Sequence, residues 1–380
     1  MRDFKDIKRI VIKIGSSSLV KKDLSVNLDM INNILSGFKK LKDIGIDSCL
    51  VTSGAIAVGM HELNLTKKPT NMSLKQACAA VGQAKLMEKY NSVATLYGLK
   101  LGQILVNHDD FQFRKRMVFL KNTLDSMFKN DIIPVINEND ALAVDEIKVG
   151  DNDTLAALIS PMVNADLLIL FSDIDGLYDK NPKIYSDSKM INTVERIDDD
   201  ILKCATGVTS NVGTGGMITK IRAALISNAS GLDMIICNSN RINDLKSIVL
   251  GSEIGTLFKK QDKISSRDDW MFFKADSKGK IIVDNGINKK LNESKVSILP
   301  KGILKVEGEF LKDSVISITN LNGDIIGKGI TNYSSSDINI IMGHSSNEIL
   351  KLLNRKDKLE VIHANNLVLV RDGLYGYFIK

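Results

Sequence analysis

Residues 1–258 alternate short apolar segments with longer segments whose apolar side chains recur at helical spacing. Residues 9–14 and 167–171 are nearly continuous apolar runs, whereas residues 28–43 carry apolar side chains three and four positions apart. Strands without polar alternation are typical of a sheet covered on both faces, and strands that alternate with helices favour parallel pairing. The pattern predicts an α/β fold, a three-layer α/β/α sandwich.

The same pattern places the individual elements and a common edge for their polar ends. We predict strands at residues 9–14, 46–51, 99–106, 132–136, 167–171 and 234–237, with 234–237 as the last strand, and helices at 28–43, 74–90, 115–129, 154–162 and 218–230. In an open parallel sheet, ligands bind where the carboxyl ends of the strands meet. Polar segments directly follow four of the strands: Gly15-Ser16-Ser17, Thr52-Ser53-Gly54, residues 137–140 and Ser172-Asp173.

The sequence after residue 258 has a different character. Residues 259–275 are charged and small and predict a linker, and residues 276–380 hold short apolar runs separated by turn signals. The predicted strands lie at residues 279–283, 296–299, 315–319, 325–331, 338–342 and 359–362, with a turn at Asp284-Asn285-Gly286. These features predict a small β-rich second domain.

The composition excludes several classes of protein. Of 380 residues, 44% are hydrophobic and 25% are charged, which suits a globular chain and not a disordered one. The apolar runs are far shorter than the roughly 20 residues that cross a bilayer, and the start lacks the order of a signal peptide. The cysteines form no CxxC pair, which favours neither zinc nor disulfides and predicts the cytoplasm. A net charge of +6 with 5% aromatic residues supports nucleic-acid binding only weakly.

Common catalytic motifs are missing from the sequence. It contains no GxxxxGK[ST] loop, no GxGxxG after the first strand and no GxSxG elbow. The histidines show no metal-ligand spacing. The sequence therefore gives poor support to a hydrolase triad or a metalloenzyme.

Two glycine-containing turns with a nearby lysine point to phosphate chemistry. Lys13 is the charged residue late in an apolar strand and precedes Gly15 and three serines, while residues 213–217 precede a helical segment that contains Lys220. Backbone N–H groups of such turns approach anions closely, and phosphoryl transfer needs cations around the transferred group. Without phosphate binding, Lys13 would be a snorkelling lysine at a strand end, and residues 213–217 would be an ordinary loop that caps a helix.

Acidic and amide residues complete the candidate site. Asp153 lies just before a predicted helix, where it could orient the two lysines or help to hold Mg²⁺. Helix capping alone would explain Asp151 and Asn152. Residues 137–140, with the sequence Asn-Glu-Asn-Asp, directly follow a buried strand and favour a site over a generic turn.

Together these motifs resemble the glutamate 5-kinase family, which belongs to the amino-acid kinase superfamily. The resemblance is carried by Lys13-Ile-Gly-Ser-Ser, Val51-Thr-Ser-Gly-Ala-Ile-Ala, Pro134-Val-Ile-Asn-Glu-Asn-Asp140, Lys148-Val-Gly-Asp-Asn-Asp153 and Gly213-Thr-Gly-Gly-Met217. The C-terminal part, with Leu299-Pro-Lys-Gly-Ile303 and Gly343-His344, is similar to the PUA domain of many bacterial members. The resemblance covers essentially the whole chain, and the order of several motifs makes it specific.

The resemblance implies an activity and its partners. The reaction is ATP-dependent phosphorylation of the L-glutamate γ-carboxylate to L-glutamyl 5-phosphate, the first step of proline biosynthesis. ATP and Mg²⁺ are the expected cofactors, proline is the expected feedback inhibitor, and a homo-oligomer without a membrane partner is the expected assembly.

The resemblance also assigns roles to residues. Lys13, Lys220 and Asp153 are the expected catalytic residues, with Asp153 organising the lysines. The residues expected to bind glutamate are Ser53, Asp140 and Asn152. The residues expected to bind the nucleotide are Lys13, Gly15, Ser16, Ser172, Asp173, Thr214, Gly215, Gly216, Met217, Ile218, Thr219 and Lys220. Ser172 departs from the family, which often has threonine there, but serine keeps the hydroxyl; the metal ligands stay unassigned.

The implied chemistry needs no general base. A glutamate side chain has a pKa near ~4.3 and is already anionic at neutral pH. The site need only align this carboxylate with the γ-phosphate and offset the repulsion between anions.

Two alternative functions stay open. One is a kinase of the same superfamily that acts on acetylglutamate, aspartate or a nucleoside monophosphate, against which residues 137–140 and the PUA-like tail argue. The other is an RNA-binding protein that acts through the PUA-like domain, which the nearly balanced charge of residues 275–380 disfavours.

Overall fold

The computed structural model of the chain describes residues 1–4, 6–107, 109–142, 151–182, 184–206, 215–261, 271, 275–345, 348–354 and 358–369. The chain divides into two units, Met1–Lys263 and Ile264–Lys380. The backbone N–H groups of Lys259 and Lys260 donate to the Val194 carbonyl and the Asp233 side chain, within the first unit. Most of the expected linker lies outside the described residues, so its bounds stay a prediction.

The first unit contains a central sheet and its covering helices. Its strands, among the residues described, are β1 (Arg9–Ile14), β2 (Asp47–Val51), β3 (Lys100–Val106), β4 (Ile132–Glu138), β5 (Leu167–Ser172), β6 (Thr193–Val194), β7 (Asp233–Asn238) and β8 (Thr256–Phe258). Its helices, with the same restriction, are α1 (Ser16–Leu19), α2 (Leu28–Lys42), α3 (Ala55–Glu62), α4 (Met72–Leu96), α5 (Asp109–Gln112), α6 (Arg114–Lys129), α7 (Asn152–Met162), α8 (Asp199–Thr206), α9 (Gly215–Ala229) and α10 (Leu245–Val249).

The strands of the first unit form one sheet in the order β3-β4-β2-β1-β5-β7-β8-β6. The six strands from β3 to β7 in that order run parallel to one another, and β8 is antiparallel to β7. The carboxyl ends of β4, β2, β1 and β5 are therefore neighbours along one edge, where the polar segments were expected. This confirms the predicted α/β class.

Alternation along β1 divides its side chains between two helical layers. Ile10, Ile12 and Ile14 are fully buried in a cluster with residues of α2 and α4. Lys13 has the opposite parity and contacts Asp153 of α7. Helices α7 and α9 pack together on this second face. Because side chains alternate along a strand, Lys13 points to the face of the sheet covered by α7, which carries Asp153.

Side-chain caps fix the starts of two helices that reach the site. The Asp151 carboxylate accepts hydrogen bonds from the N–H groups of Asp153 at 2.7 Å and Thr154 at 2.8 Å, at the start of α7. The Asn71 side chain accepts one from the Leu74 N–H at 3.2 Å, at the start of α4. These first N–H groups have no acceptor within the helix, so the caps stabilise the helix start.

The second unit is a small sheet with short helices, as expected of a β-rich domain. Its strands, in the described part of the chain, are β9 (Lys280–Val283), β10 (Ile303–Glu307), β11 (Val315–Thr319), β12 (Ile325–Ile330) and β13 (Leu367–Leu369), and its helices are α11 (Asn285–Glu293), α12 (Ser335–Ile341) and α13 (Ile349–Leu353). The sheet order is β10-β9-β11-β12-β13, with β9 and β11 parallel and the other pairs antiparallel.

The strand predicted at residues 338–342 is wrong, because this segment belongs to helix α12. Ser334 caps the helix by accepting a hydrogen bond from the Asp337 N–H at 3.2 Å. Ile338 and Ile341 are both fully buried, whereas Ile340 is 49% exposed. The alternation of Ile338 and Ile340 favoured a strand, but burial follows the three-residue spacing of a helix.

Other short segments also differ from the prediction. Asp284 does not lie in a turn but caps α11, where its side chain accepts a hydrogen bond from the Ile287 N–H at 2.7 Å. The strands predicted at residues 296–299 and 359–362 are reduced to a bridge between Ile298 and Ile362. In the first unit β7 is not the last strand, since the three-residue β8 follows it, and the two-residue β6 is absent from the predicted strands. Such short strands show no periodicity in the sequence.

Candidate active site

Lys13, Asp153 and Lys220 form one ion-pair cluster. The Lys13 Nζ lies 2.6 Å from Asp153 Oδ1, and the Lys220 Nζ lies 2.9 Å from Asp153 Oδ2. The lysines come from β1 and α9, and the aspartate from the first turn of α7. Their side chains are 11%, 10% and 4% exposed, so both positive charges lie beside one buried carboxylate. The structure brings together the three residues that were expected to be catalytic, and their roles stay a prediction.

The lysine neighbours decide the protonation state of Asp153. Burial alone would raise the pKa of this carboxyl, but the charges and hydrogen bonds of Lys13 and Lys220 outweigh burial and lower the pKa below its ordinary value. Asp153 is therefore ionised at neutral pH. One negative charge between two positive ones leaves the cluster with a net positive charge, which attracts phosphate groups.

We expect Asp153→Asn to remove a stabilisation that depends on pH. A carboxyl with a lowered folded-state pKa stabilises the fold above its unfolded-state pKa, near ~3.9, and this contribution is lost as the pH falls through the folded-state pKa. The urea midpoint of the natural chain should exceed that of the variant by a constant amount from about pH 8 to about pH 5, and the gap should narrow below about pH 4. An equal gap at about pH 3 and about pH 7 would contradict the assignment.

Helix α9 begins in the glycine-rich segment before Lys220, at Gly215. The Gly216 carbonyl accepts hydrogen bonds from Lys220 Nζ at 3.2 Å and from Thr219 Oγ1 at 3.0 Å. Gly216 is exposed, and a Cβ at this position would have no atom of the described residues within 4 Å. Gly216 therefore leaves space among the described residues at the helix start, beside the ammonium group of Lys220.

The other residues expected in this glycine-rich segment differ in their exposure, and one of them is not described. Gly215 is the first residue of α9, Met217 is half-buried, Ile218 is exposed, and Thr214 lies outside the described residues.

The turn after β1 lies directly beside Lys13. A Cβ added at Gly15 would lie 3.8 Å from the Lys13 Nζ and 3.8 Å from the Ser17 Oγ. Ser16 is exposed and begins α1, and the first N–H groups of a helix have no acceptor within it. The glycine thus keeps space open in front of the ammonium group, next to backbone donors.

Asn152 connects α7 to the ends of β2 and β4. Its Nδ2 lies 2.8 Å from the Thr52 carbonyl oxygen, 2.7 Å from Ser53 Oγ and 3.0 Å from Asn137 Oδ1. Asn137 in turn donates from its Nδ2 to Gln83 Oε1 at 2.9 Å. Ser53 and Asn152, both expected to bind glutamate, are therefore in contact within one network of amides.

Asn137 and Gln83 are absent from the residues that we predicted to bind substrate. Asn137 begins the polar segment 137–140 and lies one residue before the end of β4, and this position at a strand end is a signal for it in the sequence. Gln83 lies within α4, 54 positions from Asn137. A glutamine in the middle of a helix gives no such signal, because only the fold shows that it meets a strand end.

A cavity of about 300 Å³ lies beside this network. Its lining includes Asp140, which was expected to bind glutamate, together with Gln83, Gln103, Glu138 and Asn139. Ser53, Asn152 and the lysine cluster are not among its lining residues. Gln83 therefore joins the cavity to the amide network.

Ser172 and Asp173 lie on the other side of β1, at the end of its neighbour β5. The Ser172 hydroxyl donates a hydrogen bond to Asp173 Oδ1 at 3.0 Å, and Ser172 is buried whereas Asp173 is exposed. The candidate residues therefore fall on two sides of Lys13. The amide network lies at the ends of β2 and β4, and this hydroxyl and carboxylate lie at the end of β5.

Comparison with known proteins identifies the family. Residues 8–238 match the model of the amino acid kinase family, and residues 279–353 match that of the PUA domain. A glutamate 5-kinase from Caldanaerobacter subterraneus subsp. tengcongensis is 44% identical over 366 residues, which cover 96% of this chain and 98% of that protein. The chain belongs to the glutamate 5-kinase family. The family and the enzyme class expected from the motifs are thereby confirmed.

Further members of the glutamate 5-kinase family match the chain over nearly its whole length. The protein from Carboxydothermus hydrogenoformans is 42% identical over 96% of this chain and 98% of its own length. That from Dictyoglomus thermophilum is 38% identical over 97% of this chain and 99% of its own length. A solved structure of UMP kinase from Bacillus anthracis is 15% identical, with a TM-score of 0.48, and covers 68% of this chain and 99% of its own.

The described ranges contain neither a membrane-spanning helix nor a metal-binding cluster. None of the helices there has the length and apolar character needed to cross a membrane. No group of three or more His, Cys, Asp or Glu side chains is arranged there to hold a metal ion.

Proposed function

We propose that the chain transfers the γ-phosphoryl group of ATP to the γ-carboxylate of L-glutamate at the site between β4 and β5. One observation carries this proposal. The consecutive residues Asn152 and Asp153 begin α7, and the first contacts Ser53 while the second holds Lys13 and Lys220. One helix start thus connects an uncharged amide pocket to a pair of cations, which are the two halves that a carboxylate kinase needs.

The two lysines stabilise the transferring phosphoryl group. In this reaction a bond forms between a glutamate carboxylate oxygen and the γ-phosphorus, and the bond to the bridging oxygen breaks, so that ADP leaves with the electron pair. Negative charge develops on the equatorial and leaving oxygens. Ammonium groups held by Asp153 do not have to reorganise as that charge develops, which is how preorganised charges lower a barrier.

The amide network binds and orients the acceptor. The Ser53 Oγ accepts a hydrogen bond from Asn152, so its own hydrogen is directed elsewhere and can be donated to a glutamate oxygen. The carboxylate of Asp140 in the neighbouring cavity suits the ammonium group of the substrate. The acceptor is already ionised, so these residues need no proton-accepting partner.

The nucleotide occupies the side of β1 and β5. The backbone groups around Gly15, the open start of α9 and the polar end of β5 suit the phosphates and the sugar of ATP. ATP enters with Mg²⁺ bound mainly by its own phosphates, as is usual for this cation. Asp153 is occupied by two lysines, so we do not assign it to the metal.

We extend the proposal to assembly, regulation and location. β3 is an edge strand, and the exposed Leu105 on it and the exposed Val118 and Phe119 on α6 support a homo-oligomer. Proline carries the carboxylate and the amino group of an amino acid, which supports its binding at the acceptor pocket as an inhibitor. The free cysteines support a cytoplasmic location.

The test is an assay that traps the product. The chain is incubated with ATP, Mg²⁺, L-glutamate and hydroxylamine, which converts an acyl phosphate to a hydroxamate. We expect hydroxamate in an amount equal to the ADP released, with glutamate as the best acceptor among glutamate, aspartate, acetylglutamate and nucleoside monophosphates. ADP release without hydroxamate, or preference for another acceptor, would refute the proposal.

A further inference from the structure

The direction of the amide network is fixed by a backbone group. The N–H of Glu138 donates to Asn137 Oδ1 at 2.9 Å, and a backbone N–H can only donate. The oxygen of the Asn137 side chain must therefore lie on this side, and its Nδ2 must face Gln83. It follows that Gln83 presents its Oε1 to Asn137 and turns its Nε2 away.

The other end of the network is fixed in the same way. The Nδ2 of Asn152 lies 2.8 Å from the Thr52 carbonyl oxygen, which can only accept, so this side of the amide must be the nitrogen. The Oδ1 of Asn152 is buried, and no hydrogen-bond partner for it lies among the described residues. Gln83 Nε2 is buried and likewise has no partner in the described part of the chain. Within that part, the network ends in one open acceptor and one open donor.

Gln83 supports this direction from α4 by accepting the hydrogen bond of Asn137 Nδ2. It is 7% exposed and lies on α4, which contacts the site a second time through a hydrogen bond of 3.0 Å between Tyr90 Oη and Thr52 Oγ1. Without the Gln83 oxygen, the buried Nδ2 of Asn137 would lose its acceptor, and such a group costs about 1–3 kcal/mol when it is left unpaired. The Glu138 N–H would still hold Oδ1, but the Nδ2 side of Asn137 would no longer be held, and the 3.0 Å contact of Oδ1 with Asn152 would loosen.

We propose that Gln83 is a positioning residue for the acceptor amino acid. Gln83 accepts a hydrogen bond from Asn137, and Asn137 in turn accepts one from Asn152. These bonds keep the open Oδ1 of Asn152 directed towards the substrate, where it accepts hydrogen bonds from the N–H groups of the substrate. The inference rests on the proposed function, because it takes the acceptor pocket to be the one that contains Asn152. It adds a residue of α4 that touches neither the lysines nor the described polar groups of the nucleotide side.

The experiment compares Gln83→Met with Gln76→Met in the full chain. Both glutamines lie on α4, but Gln76 is not among the residues that line the cavity. We expect Gln83→Met to raise the glutamate KM about tenfold, the effect of losing roughly one oriented hydrogen bond, with kcat and the ATP KM within about twofold. Gln76→Met should leave all three constants within about twofold. If Gln83→Met does not fold, Gln83→Ala replaces it with the same expectation.

A double-mutant cycle tests whether Gln83 acts through Asn137. In an Asn137→Ala background the substitution Gln83→Met should have almost no further effect on the glutamate KM, because the residue it positions is gone. Additive effects would overturn the proposal. So would an unchanged glutamate KM in Gln83→Met, or equal losses in kcat and both KM values. These outcomes are distinct from failure of the proposed function, which would appear as absence of hydroxamate with the natural chain.

Discussion

Replacing Lys13 or Lys220 by methionine is expected to lower kcat by about 100- to 1,000-fold, the range for losing one group that stabilises transition-state charge. Methionine keeps most of the side-chain length but removes the ammonium group that lies beside Asp153. The charge that develops on the phosphoryl oxygens would then meet one cation instead of two. The glutamate KM should change much less than kcat, because neither lysine belongs to the amide network.

The measurement is steady-state kinetics with hydroxamate detection, with Lys21→Met as the matched control. Lys21 is an exposed lysine shortly after the turn that follows β1, and its loss should leave kcat within about twofold. Each variant is also unfolded in urea, since loss of one lysine leaves Asp153 with a single partner. Near-normal turnover in both lysine variants would remove them from the catalytic roles that we propose.

The sequence predicted the lysine cluster because each member lies next to a recognisable signal. Lys13 interrupts an apolar strand, Lys220 follows a glycine-rich turn, and Asp153 stands at a helix start. Parallel strands bring their carboxyl ends to one edge, so signals far apart in the chain converge there. The ion pairs themselves needed the fold, because strand parity and helix phase together decide which side chains meet.

Other parts of the molecule have no such signal. Gln83 meets Asn137 only because α4 lies beside the end of β4, and no pattern in the sequence fixes that distance. The strand predicted at residues 338–342 is wrong for a related reason. A five-residue segment with three isoleucines fits the period of a strand and that of a helix, and only the burial of Ile338 and Ile341 distinguishes them. Helix α3 is also absent from the predicted helices.

The contact between α3 and α4 supports the acceptor pocket and leads to the second large expected effect. A Cβ added at Gly59 of α3 would lie 1.8 Å from the Cys78 carbonyl oxygen, and one added at Gly82 of α4 would lie 1.9 Å from the Ala55 carbonyl oxygen. Backbone atoms on both sides leave no flexible side chain to yield. These glycines therefore allow the two helices to approach closely, and α4 carries Gln83 to the network.

We expect Gly59→Ala to destabilise the first unit by at least about 3 kcal/mol, the upper part of the range for overpacking, because the added methyl group must push the two helices apart.

The matched control is Gly37→Ala in α2, where the nearest atom to the new Cβ is the Leu245 Cδ2 at 2.9 Å, the end of a side chain that can rotate. That variant should stay within about 1 kcal/mol of the natural chain, since alanine also favours the helix. Urea unfolding followed by circular dichroism measures both, and equal midpoints for the two variants would show that the close approach of α3 and α4 is not needed. If part of the Gly59→Ala protein still folds, its glutamate KM should be raised more than its ATP KM, because separating the helices moves Gln83 away from Asn137.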